Sequence, residues 1–416
     1  MRIWFLSIVL AMSFTVAACG LDGFGEPHPV DRFDYPLELT ADPSGKTLWV
    51  SSGNFDLAFG GGAVLGIDVS DHSFIPGAAA EVGSYPGAFH VLDGGDAAHG
   101  YILSRETNQL YHLTLGDNEG KPTLSCEGGE VDPSGIVRCN NQGLGEVTLP
   151  DSEDVLTVGA DPFGAVIRRA RLEGQKDLLI SGAMGEGLLA TFEIDDNGEP
   201  NLVGNMELTA PIFALAEHPI TGQIYTTSKN INTINVLQVR QDGSELNVDD
   251  ENPWLELVDV IVLPTYTLAA MDHARDLAFT SDGGRLLTLH RSPSTVYLVD
   301  VRAKDEGTSD TVLTKVSVCR DPGRIQMVGP SADGQLGELA YISCYGADGI
   351  DVVDPATGQL VAHIRTGRGP FGLAFVENEE LGLRRLYVAN FLSQTVGVIE
   401  LDPSSPYFHT QIAEIR

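Results

Sequence analysis

Hydrophobic and polar positions along this chain fall into short alternating runs separated by turn-forming residues. The clearest case is LYVANFLSQTVGVIELD at 386–402, where two apolar-alternating segments are split by Asn390, Ser393 and Gln394. Alternation with a period of two predicts two strands buried on one face, joined by a short polar break. Extended upstream to residue 369, the unit reads as a proline, an apolar run, a turn, a strand, a polar break and a second strand.

The same grammar recurs. The segment DPGRIQMVGPSADGQLGELAYISCYGADGIDVVD at 321–354 matches almost position for position, with Pro322 under Pro370, Tyr341 under Tyr387 and Cys344 under Asn390. Further copies begin at Tyr35, Tyr85, Asp161, Ala210 and Ala274, giving seven in all. Each carries three strand-like runs, with turn signals such as DPSG, SDGG or HPITG at the first reversal. A fourth run lies before the next proline, as in HIRTG, DVIVL and QIAEI. Four strands repeating about every 45 to 75 residues predict an all-β, seven-bladed β-propeller of four-stranded antiparallel blades, because a lone blade cannot bury its faces. Strand A starts at the channel, B is the LYVAN run, C the TVGVIELD run and D the outer edge. The chain begins with strand A of the first blade and ends with strand D of the seventh, so the ring closes by packing without a shared blade.

The pattern of proline, apolar run, D-G turn, LYVAN and TVGVIELD resembles the YVTN-type repeat family over roughly residues 35–416. That resemblance implies a seven-bladed propeller, and its members include lactonases and lyases acting at the channel mouth. Two insertions interrupt the repeat, near 118–145 and 241–253, and both are expected in the C-to-D connection of their blades.

The N-terminus departs from this pattern. Arg2 precedes an apolar run over residues 3–18 that is too short to span a bilayer and fits a cleaved signal peptide. It ends in Val16-Ala17-Ala18-Cys19, which resembles the bacterial lipobox, so residues 1–18 are expected to be removed and Cys19 lipidated. Gly20 in place of an aspartate implies the outer membrane if the source is Gram-negative. Residues 19–34 would be the lipidated end and a tether, with a reach of roughly 50 Å at about 3.3–3.6 Å per residue.

Charge narrows the partners. With 25 basic and 58 acidic residues, the formal charge of −33 disfavours nucleic acid and anionic lipid surfaces. With Cys19 used by the anchor, Cys126, Cys139, Cys319 and Cys344 remain, an even number in an exported chain. Two disulfides are predicted, and pairing 126 with 139 and 319 with 344 is the shortest-loop choice among three connectivities. No C-x-x-C occurs, and His273 and His290 lie on different loops with no third ligand at metal spacing, so no metal or cofactor is assigned.

Propeller geometry places the D-to-A and B-to-C connections on the face around the channel mouth. By register that face collects Asn54, Tyr85, Arg105, Asp161, Lys229, Arg275, His290, Arg291, Arg320, Asp321, Arg368, Asn390 and Phe391. Candidate ligand contacts are Arg275, His290, Arg291, Arg320, Arg368 and Asn390, a basic and polar group on a very acidic protein. Two readings follow. One is a monomeric, lipid-anchored envelope scaffold that binds a protein, a glycan or another ligand without catalysis. The other is a lactonase- or lyase-like enzyme whose arginines and histidine polarise an anionic small molecule. No G-x-S-x-G, H-E-x-x-H or P-loop is present, and nothing encodes a recognisable nucleophile with its base.

Overall fold

The computed structural model describes residues 25–416 except 95–96, 119, 141, 150–154, 172–173, 241–253, 265–273, 303–310 and 332–333. The expected signal segment, Cys19, His273 and the 241–253 insertion therefore lie outside the described residues.

Seven four-stranded antiparallel sheets form the ring. Blade 1 is β1 (Pro36–Ala41), β2 (Thr47–Ser52), β3 (Gly62–Asp68) and β4 (Phe74–Val82). Blade 2 is β5 (Pro86–Asp93), β6 (Ala98–Ser104), β7 (Gln109–Asn118) and β8 (Lys121–Ser125). Four short strands follow: β9 (Glu130–Val131), β10 (Val137–Arg138), β11 (Glu146–Thr148) and β12 (Val155–Thr157). Blade 3 is β13 (Pro162–Arg168), β14 (Asp177–Ala183), β15 (Leu188–Ile194) and β16 (Pro200–Glu207). Blade 4 is β17 (Ile212–Glu217), β18 (Ile224–Ser228), β19 (Thr233–Val239) and β20 (Leu255–Val262). Blade 5 is β21 (Ala274–Phe279), β22 (Arg285–Arg291), β23 (Ser294–Asp300) and β24 (Thr311–Ser317). Blade 6 is β25 (Pro322–Val328), β26 (Leu339–Cys344), β27 (Gly349–Asp354) and β28 (Gln359–Arg365). Blade 7 is β29 (Pro370–Asn378), β30 (Leu383–Asn390), β31 (Thr395–Glu400) and β32 (Gln411–Ile415).

The apolar alternation of strands B and C packs one blade against the next. The clusters therefore follow the seams: Tyr387 and Val398 of blade 7 meet Val50 and Leu65 of blade 1, and the other six seams repeat the arrangement. The ring closes through the same kind of seam, β1 lying beside β29. Closure needs Gly372, because a Cβ there would collide with the Leu37 carbonyl oxygen.

Two sequence expectations are corrected. The 118–145 insertion follows strand D of blade 2 rather than preceding it, since β8 occupies Lys121–Ser125. Its β10 runs parallel to β4, pairing Val137 with Ala80, and so covers the outer edge of blade 1. The folded body also begins earlier than expected. Phe33 lies in the seam between blades 7 and 1, and the buried His28 donates its backbone N–H to Glu81 Oε2 at 2.8 Å. Residues 25–34 are part of the folded body.

Both disulfides are present in the expected pairing, Cys126–Cys139 and Cys319–Cys344, with Cα–Cα distances of 6.1 and 5.6 Å.

Candidate functional site

Every blade opens with the same local device. The first paired residue of strand A is followed by a bulge that leaves two residues outside the ladder in five blades, as between Pro36 and Leu39 or Pro322 and Ile325, and one, Phe163 or Arg275, in blades 3 and 5. The first and second residues after each blade-opening position form two layers around the axis. Aligned across the ring, the upper layer is Leu37, Gly87, Phe163, Phe213, Arg275, Gly323 and Phe371, and the lower layer is Glu38, Ala88, Gly164, Ala214, Asp276, Arg324 and Gly372. Tyr35, Tyr85, Asp161 and Asp321, just before the blade-opening prolines, hold positive φ of 50–59°. Non-glycine residues rarely adopt this conformation, so the mouth is shaped by local backbone strain.

Two cavities share the axis. The upper one, about 350 Å³, is lined by six members of the upper layer and by residues at or after the ends of the B strands. Phe55, Phe163, Phe213, Phe371, Phe391 and Tyr345 make its walls aromatic, with Phe55 4.9 Å from Phe391 and Phe163 4.6 Å from Phe213. The lower cavity, about 410 Å³, opens at the opposite end and is lined by Glu38, His90, Asp276, Arg324 and Gln326 among others.

Arg324 separates the two. Its guanidinium lies 4.7 Å from the Phe163 ring centroid and 5.1 Å from that of Phe371, and its Nε donates to Glu38 Oε1 at 3.1 Å. Burial opposes its charge, but the carboxylates of Glu38 and Asp276 outweigh burial and raise its pKa. Asp276 is enclosed by neighbouring strands although it faces the lower cavity. Burial raises its pKa to about 6, against the pull of Arg324 and the N–H groups of Ile325 and Leu277.

Arg275 is different. Its guanidinium stacks 4.7 Å from the Phe213 ring centroid, its Nε is buried with no hydrogen-bond partner, and no ion pair joins it among the described residues. Burial, then repulsion from Arg291 and Arg324, lowers its pKa to about 10, so it stays protonated at neutral pH. The other two arginines lining this cavity are neutralised: Arg105 pairs with Asp161 at 2.5 Å and Arg291 with Asp321 at 2.8 Å. Among the described residues, one positive charge is thus left uncompensated against apolar rings in a cavity of ligand size.

Of the residues singled out in the sequence, Arg275 and Arg291 line this cavity, with Arg105, Asp321 and Phe391. The others lie elsewhere. His290 is 1% exposed, bonded through Nε2 to Thr288 Oγ1 at 3.1 Å and packed edge-on against Tyr297. Arg320 donates to the Gly346 carbonyl, and Arg368 is exposed on the rim. Asn390 is fully buried and accepts from Thr366 Oγ1 at 3.1 Å. Asn54 holds Phe59 and Ser84, and Lys229 reaches the Met184 carbonyl at 3.3 Å.

Sequence reasoning missed the axial phenylalanines, Glu38, Asp276 and Arg324. The signal was available: counting one and two residues on from each blade-opening position writes out both layers. A larger cleft of about 720 Å³ among the A-to-B and C-to-D connections of blades 5 to 7 has its charges committed, Arg302 to Asp300 and Glu338 to the Ser281 N–H. Size therefore does not select the site; the unpaired charge does.

No known family model matches the chain, and no curated protein resembles it in sequence. Solved structures share the fold. Kuenenia stuttgartiensis hydrazine synthase is 14% identical with a TM-score of 0.58, over 88% of this chain and 96% of that one. Pseudomonas aeruginosa periplasmic gluconolactonase is 16% identical with a TM-score of 0.58, over 82% and 88%. A Myceliophthora Cps50 (Swd1) β-propeller domain is 10% identical with a TM-score of 0.56, over 89% and 98%. Such different proteins on one scaffold establish the propeller and leave activity to the site.

Proposed function

We propose that this propeller is a binding protein for a small, partly apolar anion, such as an aromatic or alicyclic carboxylate, held at the channel mouth. The observation that carries the reading is the unpaired Arg275 guanidinium set among aromatic rings. A carboxylate would form charge-assisted hydrogen bonds with it, and its apolar body would displace water from the phenylalanines. The strongly acidic remainder of the surface favours anions only at this spot.

Binding without turnover is the reading the chemistry supports. Among the described residues, the one carboxylate lining the cavity, Asp321, is engaged by Arg291, and the histidine expected there, His290, is buried in strand B of blade 5 against Tyr297 of strand C. Lactone opening at this site would need a group to activate water, and Asp321 would have to leave Arg291 to serve. The wider context is an exported protein of YVTN-type repeat kinship, anchored in the envelope through acyl groups on Cys19. Mass spectrometry of the mature N-terminal peptide, with Cys19→Ser as control, tests the anchor. An unmodified wild-type terminus overturns it.

Calorimetric titration with cyclic carboxylates and their neutral amides tests the site. Carboxylates should bind, their amides should bind at least about 10-fold more weakly, and Arg275→Gln should remove that preference, as expected for one charged hydrogen bond. Equal affinity for acid and amide would refute the reading. Hydrolysis of a lactone by the wild-type protein would replace it with the enzymatic one.

A further inference from the structure

The two disulfides of this chain sit in unlike chemical surroundings. Cys126–Cys139 joins the chain just after β8 of blade 2 to the end of β10, which covers the edge of blade 1, and its sulfurs lie in the apolar seam with Leu124 and Val137. Among the described residues, no histidine, aspartate or glutamate forms a ligand-like cluster with those sulfurs. Cys319–Cys344 has such a neighbour. A carboxylate oxygen of Asp351 lies within 4.8 Å of both sulfurs.

That carboxylate is held in place from two sides. Its Oδ2 accepts the Cys319 N–H at 2.7 Å, and its Oδ1 is 2.6 Å from His363 Nδ1. The Asp351 side chain is 5% exposed and that of His363 is 45% exposed, so the pair runs from the disulfide to solvent. Gly349 leaves room for the imidazole, since a Cβ there would lie 2.7 Å from His363 Cε1. The sulfurs differ as well: Cys344 is fully buried and Cys319 partly exposed. Finally, the loops do not depend on the S–S bond for their proximity. Tyr345 N–H donates to Asp321 O at 3.1 Å and Gly346 N–H to Arg320 O at 3.2 Å. Reduction would leave both thiols facing each other, with the Ile342 carbonyl 3.4 Å from Cys344 Sγ to accept a thiol proton.

From this geometry we infer that Cys319–Cys344 is a thiol–disulfide exchange centre for small dithiols, with Asp351 as proton carrier and His363 as its link to solvent. An incoming thiolate attacks the accessible Cys319 Sγ and forms a mixed disulfide. The electron pair of the broken S–S bond goes to Cys344 Sγ, which takes a proton passed from a protonated His363 across the Asp351 carboxylate, and His363 regains a proton from solvent. The second thiol of the dithiol then loses its proton and attacks the substrate sulfur of the mixed disulfide, which releases Cys319 as the thiolate. The substrate leaves as a disulfide, and two electrons remain on the protein as two reduced cysteines. The reverse sequence, with a small external disulfide as oxidant, restores the bond, and Asp351 then receives the Cys344 proton. This inference stands apart from the anion reading, although the approach is shared: Asp321 and Tyr345, beside the two cysteines, line the upper cavity.

The test is reduction of the folded protein by dithiothreitol, quenched by alkylation and mapped peptide by peptide. Cys319 and Cys344 should be reduced at least about 10-fold faster than Cys126 and Cys139, and the free Cys319 thiol of Cys344→Ser, treated with the small external disulfide bis(2-hydroxyethyl) disulfide, should form a mixed disulfide that persists because no second cysteine resolves it. His363→Ala, at a half-exposed position that folding tolerates, should slow the step by about 10-fold or more and alter its pH profile between pH 5 and 8, as loss of a proton carrier does. Asp351→Asn should do the same and more strongly. Equal rates at the two disulfides, or a pH profile indifferent to His363→Ala, would overturn the inference. Reduction by a reduced, unfolded lysozyme as fast as by dithiothreitol would overturn its restriction to small thiols.

Discussion

Arg275 and Arg324 occupy adjacent blades and adjacent layers of the same channel, both pressed against phenylalanine rings, yet they are held in opposite ways. Arg324 is bonded to Glu38 and attracted by Asp276, so its charge is answered inside the protein. Arg275, one layer nearer the mouth, has two arginines near it and, among the described residues, no carboxylate bonded to it. An internal charge that is paired closes the channel, whereas one left unpaired beside an open cavity has its counter-ion still to come. Stacking geometry alone would not have told them apart.

The largest effect should come from breaking the paired member. Glu38→Gln leaves Arg324, whose side chain is 11% exposed, without its hydrogen-bonded carboxylate. Removing one partner of a buried ion pair costs about 3–5 kcal/mol, and the remaining pull of Asp276 places the expected loss near the lower figure. Urea unfolding reads it. A loss below about 1 kcal/mol would mean that Arg324 is not held by Glu38 and that the two arginines are equivalent.

Those two layers also show how far the sequence could be read. The repeat made the blades legible because its prolines, strand-B tyrosines and polar breaks recur in fixed register, and the observed pairs Pro322↔Cys344 and Pro370↔Asn390 follow that register. The closing seam followed as well, since residue 36 begins a strand A and residue 411 a strand D. The candidate site was only partly legible. Register identifies which residues lie near the mouth, and it found Arg275 and Arg291. It does not say which of them turn inward: His290 and Asn390, at the ends of B strands, point into packed seams, whereas Arg291 and Phe391, one residue on, reach the cavity. The pairing that silences Arg291 and Arg105 joins residues 30 and 56 positions apart, which no local pattern encodes.

A second, smaller effect separates the lower layer from the upper by pH. Asp276 has its pKa raised from 3.8 to about 6, so the folded state holds its proton more tightly than the unfolded chain. Its favourable contribution is complete below about pH 3.8, shrinks as pH rises to about 6 and is constant above. Linkage sets an upper bound of about 3 kcal/mol for that change. Asp276→Asn should therefore flatten the stability profile between pH 4 and 6, while Arg275→Gln, in the upper layer, should leave its shape nearly intact. Unfolding curves at successive pH values for the three proteins check this, and an unchanged slope in Asp276→Asn would remove Asp276 from the account.

The smallest expected effect is also the most discriminating. Arg275→Gln removes a guanidinium that has no carboxylate partner among the described residues and whose ionised form is disfavoured by burial and by Arg291 and Arg324. What is lost is a cation–π contact with Phe213, worth about 0.5–2 kcal/mol. What is relieved is repulsion and desolvation of similar size and opposite sign. The two should nearly cancel, leaving stability within about 1 kcal/mol of wild type while anion selectivity disappears. A residue needed for the fold shows the reverse, as Glu38→Gln should. If Arg275→Gln instead destabilised the protein by about 3 kcal/mol, Arg275 would be another structural plug like Arg324, and the mouth of the channel would hold no charge waiting for a ligand.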